Sequence, residues 1–118
     1  MPLTVQTQIE DEFAIVELSG NLTLGPALGQ LREQMRQLLT TGKKLSGVIL
    51  RVGGIMQTDS SGLGELTAVY TMASRRGCPI RLVEATASLR KMLAVTRLDG
   101  LLPSADDIAE AKAEMKRI

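Results

Sequence analysis

The chain has 118 residues, 44% hydrophobic and 23% charged, with a net charge of +1, a balance that fits one soluble globular domain spanning 1–118. It contains no histidine, one cysteine and, as aromatics, only Phe13 and Tyr70; this excludes His-dependent acid–base pairs, Ser-His and Cys-His nucleophiles, His-containing metal sites and an internal disulfide. Its basic residues are scattered, with no stripe and almost no stacking aromatics for nucleic acid, and no apolar run nears the ~20 residues of a membrane helix.

Leu3 to Ile9 alternates apolar and polar residues, Glu10-Asp11-Glu12 reads as a charged turn, and Phe13 to Leu18 continues in strand fashion, so an antiparallel pair is expected. Gly20-Asn21 is expected to break the second strand. Pro26 suits a first helical position, and Leu28, Leu31, Met35, Leu38 and Leu39 follow as one helical stripe that Gly42 should end. Val48 to Val52 reads as a short buried strand between glycines. Gly53-Gly54 and Gln57 to Gly62 read as a loop. A helix is expected from about Ser61 to Arg76, apolar along Leu63, Leu66, Val69, Tyr70 and Ala73, with Gly77 as its stop. Pro79 to Val83 is a further strand. Ala87, Leu89, Met92, Leu93 and Val95 mark a third helix. Leu101-Leu102-Pro103 is read as a minimal edge strand, and Ser104 to Asp107 as the cap of a last helix with Ile108, Ala111, Met115 and Ile118 on one face. Alternating strands and helices predict an α/β fold, a mixed sheet of four to five strands covered by about four helices.

The chemistry concentrates in Met56 to Leu66. A buried strand feeds a polar loop and then a helix start, the place where open α/β sheets bind their ligands. Asp59, Ser60 and Ser61 are all able to accept hydrogen bonds from the helix's unpaired N–H groups. Gly62 and Gly64 remove side chains from the first turn, although glycine inside a helix costs up to ~1 kcal/mol against alanine. Two readings stay open: a plain N-cap with tight internal packing, or a surface that another backbone approaches closely. The glycine spacing matches neither the Walker pattern nor the dinucleotide pattern, and no cofactor is expected.

Asp59-Ser60-Ser61-Gly62-Leu63-Gly64 resembles the signature of the STAS domain, the family of sulfate transporters and anti-sigma factor antagonists. Arg76-Gly77, Ile80 to Val83 and Leu89 to Leu102 are similar to the stretches that follow it. The resemblance implies that Ser60 is phosphorylated by a partner that is both anti-sigma factor and serine kinase, that a phosphoserine phosphatase reverses this, and that the unphosphorylated form binds the anti-sigma factor. It implies Thr58, Asp59, Ser61, Gly62, Leu63 and Gly64 as the surrounding partner-binding residues. It also implies a bacterial partner-switching regulator of transcription that never touches DNA; a monomer or weak dimer is expected. Met1 to Gln6 lacks the basic and apolar regions of a signal peptide, so a soluble cytoplasmic protein that does not enter the membrane is expected.

Two departures from the family pattern stand out. Gly20-Asn21-Leu22-Thr23 lacks the usual carboxylate, and Leu50-Arg51-Val52 carries an arginine where many members have an aspartate. Arg51 is expected to face an edge or extend to solvent, or else to change the partner surface. A scaffold or sensory module in a larger signalling assembly, without a sigma-factor switch, is the alternative function. Catalysis is not expected, because Glu65 and Glu84 lack an evident base partner and Cys78 reads as a small core residue.

Overall fold

A computed structural model describes residues 1–116; the expected helical position of Ile118 lies outside them. The chain folds as β1 (Thr4–Glu10), β2 (Phe13–Leu22), α1 (Gly29–Thr40), β3 (Gly47–Thr58), α2 (Ser60–Arg75), β4 (Ile80–Val83), α3 (Ala87–Val95), β5 (Ser104–Ala105) and α4 (Ile108–Lys116). The five strands form one sheet in chain order. β1 and β2 are antiparallel; every later neighbour is parallel. This is the mixed α/β architecture that the strand–helix alternation predicts.

The strands are buried on both faces where helices cover them. Ala14, Val16 and Leu18 of β2, Val48, Leu50 and Val52 of β3, and Ile80 and Leu82 of β4 face α1, α2 and α3. The residues between them, Phe13, Ile15, Ile49 and Val83, meet Ala111 and Met115 of α4. Period-two alternation thus feeds two cores from the same strands. Each fully buried Leu, Ile, Val, Met or Phe contributes about 1.5–3 kcal/mol relative to exposure. The helical stripes pack as their spacing dictates: Leu28, Leu31, Met35 and Leu38 are buried on or just before α1, and Leu63, Leu66, Val69 and Ala73 on α2.

Several boundaries differ from the sequence reading. β3 does not stop at Val52. It runs through Gly53-Gly54 to Thr58, paired with β2 as far as Leu22↔Thr58, so the expected loop is largely strand. Likewise β2 continues through Gly20 and Asn21, absorbing them at register shifts with Gly20 at φ +89°, a conformation open to glycine. Pro26 lies in a turn before α1, which begins at Gly29; the Leu28 N–H donates to the Gly25 carbonyl instead. The edge strand is Ser104–Ala105 and not Leu101 to Pro103, since Ala105 is the residue that completes the α4 core. Val95 is 74% exposed, off the apolar face of α3.

Arg51 is not at an edge. It sits on the central strand, on the sheet face opposite α1 and α2, and its guanidinium lies 2.6 Å from Glu84 and 3.4 Å from Glu17. Gly53 makes the Glu84 contact possible, because a Cβ there would fall 2.5 Å from Glu84 Oε1. Cys78 is buried, as expected, and burial pushes its thiol pKa up.

Candidate functional site

The long β2–β3 pairing carries the start of α2 directly onto the end of the sheet. Asp59 is the only residue between β3 and α2. Its backbone is extended (φ −116°, ψ −176°), as an N-cap requires. Its N–H donates to the Leu22 carbonyl at 3.3 Å. Its carboxylate then ties two segments together. Oδ1 accepts from the Gly62 N–H at 2.9 Å, and Oδ2 accepts from the Leu24 N–H at 3.0 Å. These donors hold the Asp59 carboxyl below its usual pKa, the Leu24 N–H foremost and the Gly62 N–H next. Of the three side chains that the sequence offers as caps, Asp59 is the one that caps.

Gly62 and Gly64 separate into two different roles. A Cβ on Gly62 would stand 1.9 Å from the Leu22 carbonyl oxygen. This glycine exists so that α2 can rest against the last carbonyl of β2. Gly64 is exposed, and a Cβ there would meet nothing within 4 Å. No packing inside the domain accounts for it.

Ser60 is the first residue of α2 and is exposed. Thr58 and Ser61 are half-buried, whereas Gly62 and Leu63 are buried, with Leu63 in the core. The structure therefore gathers Thr58, Asp59, Ser60, Ser61 and Gly64 at one end of the sheet and turns Leu63 inward, where it anchors the helix.

Two exposed apolar residues near Asp59 are given no role by the sequence reading. Leu24, whose N–H binds Asp59, is 78% exposed, and Met56 is 66% exposed. Met56 lines an open cleft of about 330 Å³ together with Thr23, Thr58, Asp59, Thr86 and Met92. The available clue to Leu24 was a lone apolar residue ahead of Gly25-Pro26, outside any periodic stripe. For Met56 it was a position on β3 that only the strand's unforeseen extension made readable. Thr23, at the departure from the family pattern, is a wall of this cleft.

The remaining ionisable candidates are engaged elsewhere. Glu65 bonds Arg32 across α1 and α2 at 2.6 Å, and Glu84 bonds Arg51. Among the described residues no group of three acidic, cysteine or histidine side chains is placed to hold a metal, and no helix is long and apolar enough to cross a membrane.

The family model described as "Mlab, STAS domain" matches residues 5–103. Among solved structures, a Thermotoga maritima protein described as a candidate anti-sigma factor antagonist superposes with a TM-score of 0.84 at 23% identity, over 96% of this chain and 95% of that one. The Bacillus cell fate determinant SpoIIAA, solved in its phosphorylated form, gives 0.71 at 20% identity over 94% and 98%. The murine anion transporter Slc26a9 gives 0.78 at 14% identity over 99% of this chain but 22% of the transporter. At these identities the likeness carries the fold.

Proposed function

The chain belongs to the STAS domain family, and from that membership we propose that it is an anti-sigma factor antagonist: a protein-docking regulator whose switch is phosphorylation of Ser60. The observation that carries this reading is the setting of Ser60. A free hydroxyl stands at the exposed first position of α2, on a turn fixed by Asp59, whose carboxylate also bonds the N–H of the exposed Leu24 and which lines a cleft with the exposed Met56. Exposed apolar side chains grouped on a rim mark protein contact surfaces. The open flank at Gly64 admits a partner's backbone close to α2. The partner is an anti-sigma factor with serine kinase activity, and a phosphoserine phosphatase resets the switch. Thr58, Asp59, Ser61 and Gly64 border the contact, while Gly62 and Leu63 set its shape from below. The protein acts in the cytoplasm and does not act as an enzyme.

The physics of the switch follows from its position. Phosphate adds about −1.5 to −2 charges. The exposed helix N-terminus favours it by only ~0.3–1 kcal/mol, and the neighbouring Asp59 carboxylate opposes it, so the fold is nearly indifferent. At a docked interface, like-charge juxtaposition costs several kcal/mol, and about 2.7 kcal/mol is already a hundredfold in affinity. Phosphorylation therefore acts on binding and leaves folding intact.

The test is capture from an extract of the source organism on immobilised wild type and Ser60→Asp. The reading requires a serine kinase retained by wild type, lost on Ser60→Asp, and able to phosphorylate Ser60 with ATP. Identical retention on both baits contradicts it. A second reading, an interaction module of a larger assembly without a sigma-factor switch, draws support from the transporter in which the same fold occupies about a fifth of the chain. In that case both baits retain the same assembly, and kinase is absent from it.

A further inference from the structure

β1 is one of the two edges of the sheet, the other being the two-residue β5, and it lacks the protection that edges usually carry. Natural edge strands are blunted by proline, lysine, bulges or very short length. β1 is seven residues, Thr-Val-Gln-Thr-Gln-Ile-Glu, with neither proline nor lysine, and it pairs with β2 in unbroken register.

The turn tells which backbone groups are free. Asp11 (φ 52°) and Glu12 (φ 66°) are both left-handed, the signature of a two-residue type I′ hairpin closed by Glu10↔Phe13. In such a hairpin the closing pair is hydrogen-bonded, and bonded and unbonded pairs then alternate. Glu10, Gln8, Gln6 and Thr4 thus spend their N–H and C=O groups on β2. Ile9, Thr7 and Val5 point theirs outward, away from the sheet. The pleat sorts the side chains as well. Val5 packs toward the α1 core and Ile9 lies on the same face, 39% exposed, whereas Thr4 bonds Ser19 on the opposite face.

We propose that β1 pairs antiparallel with β1 of a second copy of this chain, about a two-fold axis through Thr7, so that two five-stranded sheets become one. Thr7 then faces Thr7, Val5 faces Ile9, Gln6 faces Gln8 and Thr4 faces Glu10. This axis gives each outward-bonding residue of β1 a bonded partner that is itself within β1. An axis at Gln6 sends Ile9 to Leu3, and one at Gln8 sends Val5 to the Asp11 turn. The side chains agree with the backbone. Ile9, exposed in the single chain, is covered by the other copy's Val5, and the two glutamine pairs form amide contacts on the opposite face. No like charges stand opposite each other, because the one acid of the strand meets Thr4. The hairpin acids are also held by Lys112 of α4, whose ammonium is 3.1 Å from Glu10 and 3.0 Å from Asp11. A seven-residue strand that is complementary to itself in backbone, apolar face and charge fits a second copy. The pairing uses no residue of the Ser60 site and stands apart from the function proposed for it.

The experiment is sedimentation of the full chain over a concentration series, with two variants. Thr7→Pro removes an N–H that β2 does not use, so its circular dichroism and melting point stay close to wild type. Ile9→Lys keeps every backbone group and places a charge in the apolar pair. Wild type should rise with concentration from 12.7 kDa toward twice that mass. Thr7→Pro loses the two central hydrogen bonds of the pair and should weaken association by roughly thirtyfold; Ile9→Lys should weaken it as well, and it decides the matter alone if Thr7→Pro does not fold. A wild type that stays at 12.7 kDa throughout, or a dimer that survives in a folded variant, overturns the proposal.

Discussion

The same substitution made two residues apart on one helix turn should shift stability in opposite directions. In Gly62→Ala the new Cβ arrives 1.9 Å from the Leu22 carbonyl oxygen and 2.8 Å from its carbon. Neither atom can rotate away, because Leu22 is held in the β2–β3 ladder and its carbonyl also accepts the Asp59 N–H. The start of α2 must lift off the sheet, which strains the Gly62 N–H bond to Asp59 as well. Overpacking costs ~1–3 kcal/mol, and a rigid backbone obstacle puts this case at about 3 kcal/mol. With roughly 4 °C per kcal/mol for a domain of this length, the melting point should fall by about 12 °C. Gly64→Ala meets nothing within 4 Å and replaces a helical glycine, so it should gain ~0.5–1 kcal/mol and raise the melting point by about 2–4 °C. Thermal and urea unfolding followed by circular dichroism read both. A neutral Gly62→Ala, or a destabilised Gly64→Ala, refutes the division of roles. The division also has a functional edge: Gly64→Ala should be the more stable protein and the poorer partner binder.

Asp59 has its folded pKa depressed by the Leu24 and Gly62 N–H groups, so its stabilising effect is present above the unfolded value and is lost as pH falls through the folded one. Asp59→Asn, with one carbonyl oxygen for two donors, should be less stable than wild type at neutral pH, and the gap in urea midpoints should close below about pH 4; a gap independent of pH contradicts this. Cys78 is buried and its pKa is raised by desolvation, so iodoacetamide should label the native protein far more slowly than the protein in denaturant. Equal rates would place the thiol at the surface.

Local pattern made most of the fold legible, and the failures share one cause. The stripe of α2, the alternation of β2 and the buried run of β4 each report a face that a single element must bury, and sequence spacing encodes that directly. The extension of β3 through Gly53-Gly54 could not be read so, because glycines weaken any local strand signal. What holds the extension in the strand is pairing of Gly54, Ile55, Gln57 and Thr58 to Ser19 through Leu22 of β2, far away in sequence. The start of α1 slipped for a similar reason, since Pro26 permits a helix start without compelling one. At the site, Asp59 and Ser60 were legible as an N-cap and its neighbour. Leu24 and Met56 were not, because exposure of an apolar side chain is a property of the folded surface. The paired glycines were legible as a backbone approach, but only the position of Leu22 separates Gly62, which serves the fold, from Gly64, which does not. Arg51 reads as facing an edge or reaching for solvent; it lies on the central strand, and its half-exposed side chain pairs there with Glu84 and Glu17.

The central claim is that Ser60 is the switch, and phosphopeptide mass spectrometry tests it most directly. Wild type and Ser60→Ala are incubated with ATP and an extract of the source organism, and the peptide containing Asp59 to Leu66 is sequenced. The account predicts phosphate on Ser60 in wild type and none on the control peptide. An unmodified peptide from an extract that phosphorylates its other proteins, or phosphate on Ser61 in both, contradicts it.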